Sequence, residues 1–186
     1  AHERARGLML DGLKAFMEGS YSKSETGSAA ALELQEASEG SAINAMVAAR
    51  SAHELRKYSQ RDEFIALAEN KAPEEVVLRL MTQAELLLDE RRPEPALKIL
   101  QSLRATGARQ HTAAWRLELK AQQRLRNWGA VLDLLGQLDQ RNAFDNALIQ
   151  QLRCNAHVEN LKSRVLNPQA LKEYWQSISS ADKKDS

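Results

Sequence analysis

Apolar residues recur along this chain at three- and four-residue spacing, and no stretch alternates with period two for long enough to suggest a sheet. Parsed on that periodicity, the sequence predicts helices near residues 4–18, 21–36, 42–58, 60–71, 73–90, 94–105, 111–126, 128–140, 143–164 and 168–178. The joins between them are short, which favours antiparallel neighbours. Pro73, Pro93 and Pro168 each stand where a first helical turn would open, and Asn127, Asn142 and Asn167 precede apolar runs as N-caps would. Gly19, Gly40 and Gly107 lie between periodic runs and read as helix ends. The closing segment, residues 179–186, is polar and charged and is expected to be a flexible tail.

So many helices of similar length raise the question of internal repetition. With steps of 37, 35 and 35 residues, Leu8, Ala45, Leu80 and Trp115 align near the start of the first helix of each pair. Gly12, Ala49, Ala84 and Leu119 align one turn later, and Tyr21, Tyr58, Pro93 and Trp128 align at the start of the second helix. Ser28, Ile65, Leu100 and Leu135, then Ala31, Ala68, Leu103 and Leu138, align towards its end. A large residue followed by a small one, an aromatic or proline at the turn and apolar positions beyond it is the tetratricopeptide layout. The small residue lets the second helix approach, and the large one beside it fills the gap. The match is degenerate: Ser24 and Arg61 stand where alanine is preferred, and Leu119 where a small residue is. A fifth pair near 143–178 keeps the helical pattern but drifts from register. The expected fold is therefore all-α, a tetratricopeptide-like right-handed superhelix of about five helical hairpins over residues 4–178.

The same register selects a candidate binding surface. Met9, Met46 and Met81 fall at one equivalent position on the first helices, followed by Arg116. One turn on come Leu13, Arg50, Glu85 and Lys120, then Phe16, His53, Leu88 and Gln123. Stacked hairpins would bring these positions to one concave wall, and methionine is flexible and polarisable enough to grip varied apolar partners. The partner-binding groove expected from sequence is Met9, Met46, Met81, Arg116, Arg50, His53, Glu85 and Lys120, suited to an amphipathic helix of mixed charge.

Composition narrows the alternatives. With 26 Lys+Arg against 25 Asp+Glu, the chain lacks the concentrated basic surface that nucleic-acid binding requires. No apolar run is long enough to span a membrane. The single cysteine, Cys154, cannot form an internal disulfide. The sequence carries no Gly-rich phosphate loop, no GxSxG and no HExxH, and no catalytic residue, cofactor or metal ligand is expected. Cys154 and His157 share a helical face, but the pair lacks a further ligand nearby in sequence and reads as packing.

The order of local phrases resembles the HemY tetratricopeptide proteins of proteobacterial haem-biosynthesis operons. The phrases run from Gly12-Leu13-Lys14-Ala15-Phe16 through Ala48-Ala49-Arg50-Ser51-Ala52-His53-Glu54-Leu55-Arg56 and Lys71-Ala72-Pro73. They continue with Leu80-Met81-Thr82-Gln83-Ala84-Glu85, Leu119-Lys120-Ala121-Gln122-Gln123, Asn127-Trp128 and Tyr174-Trp175-Gln176. The resemblance implies an inner-membrane protein with its repeats on the cytoplasmic side, anchored by segments outside this chain, and a link to a late step of haem synthesis. It also implies a protein or peptide partner, a haem-synthesis enzyme among the candidates. A porphyrin carrier is the alternative; it would develop a shifted Soret band on titration, whereas a pure scaffold would not.

Overall fold

The computed structural model describes residues 2–36, 39–107, 112–142 and 144–184, and among them every regular element is helical. In chain order these are α1 His2–Met17, α2 Tyr21–Leu34, α3 Glu39–Glu54, α4 Tyr58–Lys71, α5 Val76–Asp89, α6 Pro93–Ala105, α7 Thr112–Arg124, α8 Trp128–Gln140, α9 Asn146–Lys162, α10 Pro168–Ser177 and α11 Ser180–Lys184. The all-α expectation holds. The chain divides into two compact units, Ala1–Ala108 and Arg109–Ser186.

The hairpin turns explain why helices pair as they do. Gly19, Arg56, Arg91 and Arg126 have φ of 75°, 59°, 61° and 55°, the left-handed region that ends a helix. Their spacing is the 37, 35 and 35 steps read from the side chains. The residue after each donates its backbone N–H five positions back: Ser20 to Ala15, Lys57 to Ala52, Arg92 to Leu87 and Asn127 to Gln122, at 2.8, 2.8, 2.9 and 3.0 Å. Four turns thus close with one hydrogen-bond pattern, and each sends the chain back antiparallel. The end of α3 is at Glu54 rather than 58 because Arg56 has already left helical geometry.

Within the first unit, α1/α2, α3/α4 and α5/α6 pack as successive pairs, and α1, α3 and α5 also touch in sequence order. The α1–α2 approach is close because two glycines meet there: a Cβ on Gly27 would lie 3.4 Å from Gly12 Cα. Behind them α3 is enclosed on nearly all sides, so Leu32, Ala45, Met46, Ala49, Ile65 and Ala68 form one buried cluster. The columns Ser28/Ile65/Leu100 and Ala31/Ala68/Leu103 are buried throughout, as the register predicts. Successive pairs are also latched: Lys57 in the α3–α4 turn meets Glu25 on α2 at 2.6 Å, and Lys71 donates to the α2 carbonyls of Leu32 and Gln35 at 2.7 and 3.1 Å. The second bond pair satisfies helix-end acceptors that α2 cannot satisfy itself.

In the second unit, α7 and α8 pair, α8 packs on α9, and α10 and α11 both rest on α9. Trp115, Leu119, Val131, Leu134, Leu135, Leu138 and Ala156 are its buried core. Asn167 caps α10, its side chain accepting from the Ala170 N–H at 3.1 Å, and Pro168 follows as the first helical residue.

Four local expectations need correction. Pro73 lies in a turn, and α5 starts at Val76, because Ala72 to Glu75 are used to carry the chain from one pair to the next. Gly40 is the second residue of α3 rather than the end of the preceding helix, since α3 already begins at Glu39. Asn142 adopts φ 49° at the end of α8, and Asp145 takes the N-cap position of α9. Residues 180–184, in the segment expected to be a loose tail, form α11; Asp185 and Ser186 lie outside the described residues.

Candidate functional site

The surface of the first helices is decided by which side of each helix its neighbours leave open. On α1 the exposed apolar residues are Leu10, Leu13 and Met17, spaced three and four apart on one stripe. On α3 the less buried residues are Ile43, Val47, Arg50 and Glu54, at the equivalent positions, and on α5 Glu85 and Asp89 continue them. The strip that faces solvent therefore passes through the Leu13, Arg50 and Glu85 column.

The methionine column lies one position to the side. Met46 is 3% exposed and belongs to the buried cluster with Leu32 and Ile65, so its side chain is core and not groove. Met9 and Met81 are half-buried, and Met9 lies with Gln35 and Glu36 at the border of α1, α2 and α3. The physical reason is that α3 has helices on both flanks, so a residue 100° from the open strip already points into a neighbour. In the second unit Arg116 is exposed, with its guanidinium 4.9 Å over the Phe144 ring, and Lys120 is exposed.

Arg50 and Glu85, both expected in the groove, meet at 2.6 Å and tie α3 to α5. His53 is 5% exposed and is enclosed rather than presented. Its Nε2 lies 2.8 Å from Asp89 Oδ2, and its Nδ1 is 3.3 Å from the Arg61 guanidinium. A guanidinium only donates, so Nδ1 accepts and Nε2–H donates to Asp89. His53 is thus a bridge between α4 and α5.

Arg61 is the residue that sequence reasoning undervalued. It occupies the column of Ser24, Ala96 and Val131, where a small side chain is preferred, yet it is 3% exposed. It is held by Asp62 at 2.8 Å and Glu90 at 2.7 Å, and it stacks 5.0 Å over the Tyr58 ring. Burial alone would lower its pKa; the hydrogen bonds and charges of Asp62 and Glu90 outweigh that and raise it. The repeat therefore has a charged latch here where Ala96 and Val131 use apolar contact and Ser24 accepts a hydrogen bond from the Ser51 hydroxyl at 2.9 Å. The signal in the sequence was the mismatch itself, an arginine in a small-residue column followed 29 positions later by Glu90.

Above this latch, His53, Arg56, Tyr58, Asp89, Glu90 and Arg91 surround a recess of about 460 Å³ between the α3–α4 and α5–α6 turns. The aromatic Tyr58 lies edge-on to His53 with ring centres 5.5 Å apart. Arg56 and Arg91 enter the recess from left-handed backbone, a conformation that costs a residue with a Cβ about 1 kcal/mol or more.

In the second unit, His157 is engaged on both ring nitrogens. Asn160 donates to the Tyr174 hydroxyl at 2.9 Å, that hydroxyl meets His157 Nδ1 at 2.9 Å, and His157 Nε2 reaches Asp182 at 3.1 Å. Burial raises the Tyr174 pKa above its usual 10.0, opposed by Asn160 and Arg164. Cys154 is half-buried one turn before. Among the described residues no three His, Cys, Asp or Glu side chains come within reach of one metal ion. α10 has no buried residue, and Trp175 is 44% exposed.

Fold and surface together define an all-α protein of consecutive helical hairpins with an open strip along its first helices. No family model, no curated protein and no solved structure matches the chain.

Proposed function

We propose that this chain is a tetratricopeptide-like scaffold that binds a protein or peptide partner without catalysing a reaction. The observation that carries the reading is the recurrence of one turn, with one left-handed residue and one hydrogen-bond pattern, at steps of 37, 35 and 35 residues. Repeats of that kind exist to stack, and stacking leaves each first helix one open face on which a partner can lie. In the first unit that face is Leu13, Arg50 and Glu85 with their neighbours, an apolar beginning and a charged continuation suited to an amphipathic helix. The resemblance to the HemY family adds a class of partner, a haem-synthesis enzyme, and a tether to the inner membrane. No helix among the described residues is long and apolar enough to cross a membrane, so such a tether would lie outside them.

The test is capture of partners from an extract of the source cell by the native chain and by Leu13→Glu/Arg50→Glu. A partner enriched by the native chain and lost with the variant, at unchanged helical circular dichroism, is the expected result. If every protein captured by one is captured equally by the other, the open strip is not the binding surface and this reading fails.

A further inference from the structure

The side of α9 that matches the open strip of the other first helices is covered by the chain's own C-terminal segment. Ile149 and Ala156 are buried seven residues apart on α9, as Ala5 and Gly12 are on α1 and Ala42 and Ala49 on α3. Seven residues are close to two helical turns, so the residue after each buried one falls on one stripe. These residues are Arg6 and Leu13 on α1, Ile43 and Arg50 on α3, and Gln150 and His157 on α9. On α1 and α3 the stripe faces solvent; on α9 it holds α11. Gln150 Nε2 donates to Asp182 Oδ1 at 3.2 Å, and His157 Nε2 donates to Asp182 Oδ2 at 3.1 Å, since a carboxylate only accepts. The histidine and aspartate side chains are left 16% and 12% exposed, and Arg153 on the same helix adds a favourable charge. One aspartate thus closes both stripe positions.

The hold is light. α11 has five residues, too few to persist as a helix unless docked, and none of them is buried. Ser180, Ala181 and Lys184 face solvent. Ile178, buried just before the helix, and Lys183, 5.1 Å over the Trp175 ring, add to the Asp182 bonds. The Ser179 hydroxyl accepts from the Asp182 N–H at 3.2 Å and starts the turn that presents the carboxylate. We infer that α11 is an internal occupant of the α9 stripe, and that a partner engages this stripe by displacing it with a short helix carrying a carboxylate where Asp182 stands. The donors define that ligand: an amide and an imidazole N–H converge on one carboxylate, and Ile178 shows that an apolar residue four positions earlier is accommodated. This inference rests on the partner-binding reading above and deepens it, adding a closed contact on α9 and the chemistry that opens it.

The experiment titrates the full chain with a fluorescein-labelled peptide of residues 177–184, SISSADKK, and with the same peptide bearing Asp182→Asn. Asp182→Ala in the chain releases α11 and leaves the α9 donors in place; Asp182→Ala/Gln150→Glu sets a carboxylate against the incoming one. The Asp peptide should bind Asp182→Ala about tenfold or more tighter than the native chain, whose stripe is open only for the fraction of time α11 is away. Binding to Asp182→Ala should weaken about tenfold with the Asn peptide, and the Asp peptide should weaken as much on adding Gln150→Glu. Asp182→Ala should keep the native circular dichroism and melt within about 2 °C of the native chain, as expected of an occupant and not of a structural cap. Equal binding by the native chain and Asp182→Ala overturns the inference, as does binding by neither or binding indifferent to the peptide's carboxylate. Partner capture that depends on Leu13 and Arg50 without any peptide binding leaves the scaffold reading standing and removes this inference alone. Peptide binding without that capture does the reverse.

Discussion

Small residues in this protein are not interchangeable, because their surroundings differ. A Cβ on Gly12 would lie 2.6 Å from Ser28 Oγ and 3.1 Å from the Ser28 backbone nitrogen, whereas one on Gly7 would meet nothing within 4 Å. Gly7→Ala should therefore stabilise by about 0.5–1 kcal/mol through reduced backbone entropy in the unfolded chain. Gly12→Ala should destabilise by about 1–3 kcal/mol, since α1 and α2 must separate; urea denaturation of the two variants checks the opposite signs. Met46 and Arg50 make a second contrast one turn apart. Met46→Glu inserts a charge into the buried cluster and should unfold the first unit, whereas Arg50→Glu should shift stability by no more than about 1 kcal/mol, the value of an exposed pair. Arg61 stands between these cases. Arg61→Ala leaves Glu90 and His53 without their donor and should cost about 3–5 kcal/mol, measured by the same denaturation.

Helices and turns show how far the sequence could be read and where it could not. The ten long helices were legible because three- and four-residue periodicity is strong in such helices as α5, α6 and α10, though α4 carries almost none of it, and the hairpin register was legible in five columns of side chains. The left-handed arginines were not, since arginine has no preference for positive φ and only the recurrence of Arg56, Arg91 and Arg126 at the repeat step marked them. The C-terminal helix α11 escaped too, because five residues, four of them polar, have no periodicity to detect. What secures it is Asp182, whose carboxylate takes bonds from Gln150 and His157 at 3.2 and 3.1 Å. Burial alone would raise the Asp182 pKa, but these bonds, Ser179 and the charge of Arg153 hold it below the ordinary 3.8. A depressed carboxylate stabilises fully above its unfolded pKa and loses that contribution as pH falls through the folded one. α11 should therefore stay docked from neutral pH down to the ordinary carboxylate range and detach below it. Trp175 fluorescence reports the step, with Lys183 lying 5.1 Å from the ring, and Asp182→Asn should remove the acid dependence.

On the scale of the whole chain, the two units each own a hydrophobic cluster, and the tryptophans divide unequally between them. Trp115, Trp128 and Trp175 all lie in Arg109–Ser186, while Ala1–Ala108 has none. Tryptophan emission thus follows one unit and far-ultraviolet circular dichroism both. Met46→Glu should lower the helical signal while leaving the emission maximum in place, because the Trp115 and Leu135 cluster does not include any first-unit residue. A red shift of the emission on that substitution would show that the two cores unfold as one.

The sequence by itself determined the helical class, the hairpin order and the positions that must be small or apolar, because each follows from spacing along a single chain. Tertiary structure alone decided which of two adjacent stripes on the first helices faces solvent. Met46 and Arg50 are both plausible surface residues on an isolated amphipathic helix; only the helices on either side of α3 bury the one and leave the other open. It also decided that His53 and Arg61 serve as partners for Asp89 and Glu90, acids 36 and 29 residues away, since such pairings depend on how consecutive hairpins dock. Periodicity fixes the face a helix must hide, and packing fixes how much of the remainder is left for a partner.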